Sequence, residues 1–269
     1  MSAPFRIQVG NQTAFSAASL WDPFHYALEN GFEAFEWFPD KKPWGGWDEN
    51  DLDAGARHYI QKVARERGMR LSVHARWQAN PLRPDAWPLL LRDCELARDL
   101  GAALVNIHLY TEAGLDAYAK ALAPLLKVIA EMRLLLAIEN TPMTTPQDFN
   151  EFFSRLSDLD SEGAGRVGMC LDIGHANLCE STRHNYLSYL DQLAPQLPIT
   201  HLHLHENFGD YDSHLSLFTG PAREDPSGVR GLVQRLRERG YCGAGILEQW
   251  PHPAWLLNQA RDRLAEMVK

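Results

Sequence analysis

Short apolar runs alternate with longer amphipathic stretches along nearly the whole chain. A short apolar run bounded by turn residues predicts a buried strand, whereas apolar positions three and four residues apart predict a helix packed on one face. The predicted strands are Phe5–Val9, Phe32–Phe38, Leu71–His74, Ala103–Leu109, Leu134–Glu139, Val167–Asp172, Ile199–His205 and Ala244–Glu248. The predicted helices are Trp21–Asn30, Asp51–Gly68, Asp85–Leu100, Ala113–Met132, Thr145–Ser157, Arg183–Leu193, Pro226–Arg239 and Pro253–Met267.

Residues that begin and end helices fall at the junctions of this pattern. Gly31, Gly68 and Gly240 stand at the ends of predicted helices, where glycine readily takes the left-handed conformation that ends a helix. Thr145 and Pro146 form an N-cap and first-turn pair. The boundaries of several helices are therefore indicated by capping residues as well as by periodicity.

The order of elements predicts the fold class. Eight strands, each followed by a helix, favour a parallel sheet covered by helices. Eight such units in about 250 residues have the size of a closed (β/α)8 barrel, so we predict an α/β protein with a single TIM-barrel domain over 1–269. A doubly wound open sheet is the alternative, but no phosphate-binding GxGxxG turn follows the first strand.

Composition narrows the possible partners. The net charge is −9, and no basic patch of the kind that binds nucleic acid is present, so we expect a small-molecule substrate and no nucleic acid. The four cysteines have no CxxC spacing, as expected for free thiols in a reducing cytoplasm. No signal peptide or membrane-spanning run is found. We expect a cytoplasmic protein without membrane contact, and a homo-oligomer remains open.

Candidate chemistry is concentrated where the predicted strands end. Ionisable residues of the metal-ligand set stand at these ends, and three more follow in the next loops: Glu36, His74, His108, Glu139, Asp172, His203 and Glu248, then His175, Asp212 and His214. Active sites of TIM barrels are built at the carboxyl ends of the strands. Because unpaired buried charge is costly, a ring of such residues predicts bound cations.

These motifs resemble the xylose isomerase-like TIM-barrel superfamily, which includes sugar isomerases, sugar epimerases and enzymes of the endonuclease IV type. The resemblance covers nearly the whole chain and is carried by the segments LSVHARW, VNIHLY, AIENTP, CLDIGHANL, HLHENFGDYDSH and ILEQW. The most specific pieces are LDIGH, with Asp172 and His175, and the run from His203 to Asp212 and His214.

The resemblance implies a ligand set and catalytic residues. In the epimerase branch, one manganese or similar ion is held by four residues, Glu139, Asp172, His203 and Glu248, and the two glutamates also move protons. In the endonuclease IV branch, a second metal is held by His74 and His108 with Glu139. In that branch a third metal is held by His175, Asp212 and His214. The cofactor implied is therefore one to three manganese or zinc ions.

Candidate substrate contacts are aromatic or lie beside the ligands. Tryptophans follow several strand ends, and indole faces pack on the C–H surfaces of sugars, although they also fill seams between helices and barrel. The predicted substrate-binding residues are Trp44, Trp47, Trp77, Glu36 and His205. We expect His201 to pack deeper in the barrel, whereas His205 lies behind the ligands or faces the substrate.

Two reactions remain open at this point. The first is isomerisation or epimerisation of a sugar or related polyol, in which a metal acidifies a C–H bond and the glutamates transfer the proton. The segment from His203 to His214 lacks the arginine that such epimerases usually carry. The alternative is a multinuclear zinc hydrolase acting on a small phosphoester or amide. A non-catalytic metal-binding protein is the third and least motivated possibility.

Overall fold

Eight parallel strands form a closed barrel in chain order, with β8 hydrogen-bonded back to β1. The computed structural model describes residues 5–13, 16–43, 45–157 and 163–269. The strands are β1 Arg6–Gln12, β2 Ala34–Trp37, β3 Arg70–His74, β4 Leu104–His108, β5 Leu135–Glu139, β6 Val167–Asp172, β7 Ile199–Leu204 and β8 Cys242–Leu247. The predicted α/β (β/α)8 TIM barrel is confirmed.

Helices cover the outside of the barrel. They are α1 Trp21–Glu29, α2 Ala54–Arg67, α3 Trp87–Leu100, α4 Leu115–Glu131, α5 Pro146–Ser157, α6 Ile173–Leu178, α7 Tyr186–Gln192, α8 Ser227–Glu238 and α9 Trp255–Val268. Among the described residues, no helix has both the length and the apolar composition needed to cross a bilayer.

Capping residues end and begin the helices as predicted. Gly68 has φ 64° at the end of α2. This left-handed conformation is not strained in glycine, because glycine has no Cβ. At the start of α5, the backbone N–H of Asp148 donates to Oγ1 of Thr145 at 3.2 Å. These local signals depend on neighbouring residues alone, and they were therefore readable in the sequence.

Two differences from the prediction go beyond small shifts of element ends. β1 continues past Gly10 to Gln12, and a Cβ at Gly10 would lie 2.4 Å from the carbonyl oxygen of Ala34 on β2. This glycine permits close approach of two strands and does not end the first one. The six-residue helix α6 was not predicted, because it follows β6 without a loop and is too short for helical periodicity.

The apolar core has two parts. The larger part lies between the outer face of the strands and the helices. Inside the barrel are two small clusters of buried side chains, Ala34 with Ala244 and Ile246, and Leu104 with Ala137 and Cys170. The inward positions nearer the carboxyl ends of the strands are polar, which leaves that end of the barrel as the place for a site.

Candidate metal centre

Five predicted ligands converge at the carboxyl end of the barrel, and we name them the inner cluster: His74, Glu139, Asp172, His203 and Glu248. Nδ1 of His203 lies 3.2 Å from Oε1 of Glu139, 3.4 Å from Oε2 of Glu248 and 3.8 Å from Oδ2 of Asp172. Nε2 of His74 lies 3.1 Å from Oε2 of Glu139. Residues from four different strands, with Glu248 directly after β8, therefore present donor atoms to one small volume.

The inner cluster has the chemistry of a cation site. Its three carboxylates are buried, the most exposed being Glu248 at 7%. Oε2 of Glu248 has no hydrogen-bond partner among the described residues, and burial raises the pKa of this carboxyl. A buried anionic oxygen without a partner is costly, and imidazole with carboxylate suits a divalent ion such as zinc or manganese. The residues present therefore fit a divalent metal.

Three further predicted ligands form a second group, the outer cluster, consisting of His175, Asp212 and His214. Oδ2 of Asp212 lies 3.2 Å from Nε2 of His175 and 3.0 Å from Nε2 of His214. Burial opposes ionisation of Asp212, but its contacts with the two imidazoles hold its pKa well below the usual range. The side chains of Asp212 and His214 are each 34% exposed, so this cluster lies at the mouth of the barrel.

Backbone carbonyls orient three of the imidazoles. Nδ1 of His74 lies 2.7 Å from the carbonyl oxygen of Ala75. Nδ1 of His175 lies 2.7 Å from the carbonyl oxygen of Asn140, and Nδ1 of His214 lies 3.0 Å from that of Glu248. A carbonyl oxygen can only accept, so each Nδ1 must carry the proton. Nε2 is then left with its lone pair toward the carboxylates, as metal binding requires.

A carboxylate orients the fourth imidazole. Oε1 of Glu36 lies 2.8 Å from Nε2 of His203, and Oε2 lies 2.9 Å from Nε2 of His201 and accepts from Ser72 Oγ at 2.8 Å. Burial opposes ionisation of Glu36, but the two imidazoles keep the pKa of this carboxyl well below its usual range. Glu36 thus fixes His203 with Nδ1 toward the inner cluster. Its predicted contact with substrate is corrected, because Glu36 is 0% exposed and fully engaged.

Two asparagines that the sequence analysis did not select support the inner cluster. Asn106 donates from Nδ2 to Oε2 of Glu139. Asn140 donates from Nδ2 to the carbonyl oxygen of Asp172 at 2.8 Å and accepts from the Asp172 N–H at 2.8 Å. Asn106 stands two residues before His108 on the inward face of β4, which was the available signal for it.

Two predicted histidines lie beside the compact groups. Nε2 of His108 lies 3.8 Å from Oε2 of Glu139, and the His108 side chain is 18% exposed. Burial lowers the pKa of His108 to about 4. His205 is fully buried, with Nε2 3.1 Å from Oδ2 of Asp172. His201 is 1% exposed and packs deeper in the barrel, as predicted.

The predicted aromatic substrate contacts differ in their surroundings. Trp47 is 4% exposed and packs edge-on against Trp37 at 5.5 Å between ring centroids, so it belongs to the hydrophobic core. Trp77 is 53% exposed, and Nζ of Lys42 lies 5.1 Å from its ring centroid. Trp44 lies outside the described residues.

Fold and site together define a class: a (β/α)8 barrel protein with a buried, donor-rich site at the carboxyl ends of its strands. Residues 24–267 match the xylose isomerase-like TIM barrel family, and the chain belongs to that family.

One relative and two solved structures are similar to this chain. An uncharacterised protein of Methanocaldococcus jannaschii is 31% identical over 110 residues, which are 40% of this chain and 39% of the relative, so the match spans about two fifths of that relative. A D-tagatose 3-epimerase-like protein has a TM-score of 0.75 at 22% identity, covering 97% of this chain and 98% of that one. An L-ribulose 3-epimerase has a TM-score of 0.71 at 18% identity, covering 98% and 95%. These structural likenesses concern the fold.

Proposed function

We propose that this protein is a divalent-metal-dependent isomerase or epimerase of a sugar or related polyhydroxy compound. The observation that carries the proposal is a pair of buried glutamates whose oxygens both lie close to one imidazole nitrogen. Oε1 of Glu139 and Oε2 of Glu248 lie 3.2 and 3.4 Å from Nδ1 of His203. A cation site flanked by two carboxylates contains the groups that a metal-assisted proton transfer needs.

The ion would be held by Glu139, Asp172, His203 and Glu248. When bound, it would polarise a substrate carbonyl and the neighbouring hydroxyl, which makes the adjacent C–H bond more acidic. Glu248 is suited to take that proton, because its Oε2 has no hydrogen-bond partner among the described residues. Burial raises the pKa of Glu248, and a carboxylate with a raised pKa is the stronger base.

Glu139 is held differently from Glu248. Its Oε2 accepts from Asn106 and faces His74. Burial opposes ionisation, but His203 and His108 keep the pKa of Glu139 well below its usual range. In an epimerase, Glu139 would have to carry a proton of its own and donate it to the other face of the same carbon, while Glu248 keeps the proton it has taken. In an isomerase, Glu248 itself would return its proton to the neighbouring carbon.

The mouth of the barrel offers an aromatic surface for such a substrate. Trp77 is 53% exposed, and an indole face can cover the apolar C–H face of a sugar ring. We include Trp77 as a substrate contact and keep Trp44 as a prediction.

Solvent-deuterium exchange into a panel of ketoses tests the proposal. We expect metal-dependent exchange, and a loss of at least about a hundredfold on Glu248→Gln, which is the usual contribution of a general base. Glu224→Gln is the matched control, because Glu224 is an exposed residue near the start of α8. If no sugar exchanges in the metal-loaded protein, the proposed reaction is wrong.

The outer cluster favours one alternative, a multinuclear zinc hydrolase acting on a small phosphoester or amide. His175, Asp212 and His214, grouped with His205, bring donor atoms close enough together for an additional ion, which proton transfer between two glutamates does not require. Elemental analysis separates the two functions, since the isomerase requires only the inner ion, whereas we expect close to three ions per chain for the hydrolase.

A further inference from the structure

His205, directly after β7, brings a second imidazole to the inner cluster. It lies two residues after His203 and is buried like it, as expected for two side chains on the same face of an extended chain. Nε2 of His205 is 3.1 Å from Oδ2 of Asp172 and 3.7 Å from Oε2 of Glu248. Nδ1 of His203 lies 3.8 and 3.4 Å from the same two oxygens. Two nitrogens and two oxygens therefore surround one volume.

The orientation of the His205 ring separates it from the outer cluster. Its ring and that of His214 are stacked, with centroids 4.0 Å apart and planes inclined by 7°. An imidazole binds a cation through a lone pair in the plane of its ring. One ion cannot lie in two parallel planes that are separated by a stacking distance. His205 and His214 therefore serve different ions.

Distances to the carboxylates assign each ring to its ion. Nε2 of His214 is 3.0 Å from Oδ2 of Asp212, which places it in the outer cluster. Nε2 of His205 is 3.9 Å from the nearer oxygen of Asp212 but 3.1 Å from Asp172. His205 therefore belongs with the buried carboxylates.

The backbone beside His205 makes room for this position. A Cβ on Gly174 would lie 1.9 Å from Cε1 and 2.4 Å from Nδ1 of the ring. Gly174 follows Asp172 by two residues in α6, so the helix that carries the outer ligand His175 also leaves space for His205.

We propose that His205 is a ligand of the inner ion, through Nε2, in addition to Glu139, Asp172, His203 and Glu248. The proposal rests on the metal-dependent function proposed above. It has a chemical consequence, because imidazole favours zinc and cobalt whereas a carboxylate-rich site favours manganese or magnesium. His205 should therefore shift the preference of the inner ion toward zinc.

The test isolates the inner ion by removing the outer carboxylate. In the Asp212→Asn protein, Zn²⁺ affinity is measured by chelator competition, and Co²⁺ is followed by its visible absorption, which reports the ligand set. Adding His205→Gln should weaken Zn²⁺ binding at least about tenfold, because even the loss of a residue that only supports a metal ligand usually has an effect of this size. It should also change the Co²⁺ spectrum, while Mn²⁺ affinity falls less. His58→Gln, an exposed histidine of α2, is the control for loss of an imidazole.

The outcomes are distinct. Equal Zn²⁺ affinity and identical Co²⁺ spectra with and without His205→Gln overturn the proposal. So does a His205→Gln effect that appears only when Asp212 is present, because His205 would then bind the outer ion. If neither the unchanged protein nor the Asp212→Asn protein binds an ion, the proposed metal dependence fails instead.

A second measurement needs no change at His205. In Asp212→Asn protein with isotopically labelled histidine nitrogens, binding of a magnetically active cadmium isotope should split the His205 Nε2 resonance by scalar coupling. An unsplit His205 resonance beside a split His203 resonance contradicts the proposal, even if the His205→Gln variant fails to fold.

Discussion

The inner and outer clusters contain the same kinds of residue but differ in burial and support. Inner side chains such as Glu139 and His203 are 0% exposed and are held by buried partners. In the outer cluster, Asp212 and His214 are 34% exposed and stand on the long connection after β7. Two charges interact more strongly where water is excluded. Removing a partner should therefore be costly in the inner cluster and mild in the outer one.

Metal removal should reveal the largest contrast. An ion bound at about a thousand times its Kd stabilises the folded state by about 4 kcal/mol. Most of this should come from the inner cluster, where Oε2 of Glu248 has no hydrogen-bond partner among the described residues. Thermal unfolding of chelated and reloaded protein measures the change. An equal stability of both forms would contradict a cation between the inner carboxylates.

Replacing Glu36 should give the next largest effect. Glu36→Gln puts an amide where two imidazoles and Ser72 now donate, so the orientation of His203 is no longer fixed. Loss of such a partner typically weakens metal binding by about ten- to a hundredfold. Isothermal titration in the Asp212→Asn background measures the metal affinity, and Glu33→Gln is the surface control. Unchanged affinity would show that Glu36 does not set the nitrogen that His203 presents.

Glu36 also illustrates what the sequence could and could not predict. Alternation along β2 places Glu36 on the inward face, and this was readable. Its partner His203 is 167 residues away, and the pair forms only when the barrel closes. Trp47 was misjudged for the same reason, since its packing against Trp37 depends on how the loop after β2 folds back. The convergence of the candidate ligands was predictable because strand ends of a parallel barrel meet at one end.

Changing the pH should affect the inner cluster in two opposite ways. Burial opposes protonation of His74, but the hydrogen bond and charge of Glu139 raise its pKa to about 9 in the metal-free protein. The metal-free protein should therefore lose the stabilisation from this pair as the pH rises from about 6.5 through 9. Metal affinity should rise over the same range, about tenfold per pH unit for each proton displaced.

Calorimetric titrations in buffers of different ionisation enthalpy count the protons released at each pH. A metal affinity that is flat between pH 7 and 9 would mean that His74 carries no proton for the ion to displace. His74→Gln should flatten the dependence, whereas His58→Gln should not.

The outer cluster should give the smallest effect. His214→Asn removes an imidazole whose side chain is 34% exposed, and surface changes of this kind usually alter stability by less than about 0.5 kcal/mol. The variant should lose the outer ion, measured as one fewer metal per chain, while the inner ion and its affinity are kept. A variant that instead loses both ions would mean that the clusters act as one unit, since His214 also contacts the Glu248 carbonyl through Nδ1 at 3.0 Å. The contrast between a buried and an exposed cluster would then have to be abandoned in favour of a single coupled centre.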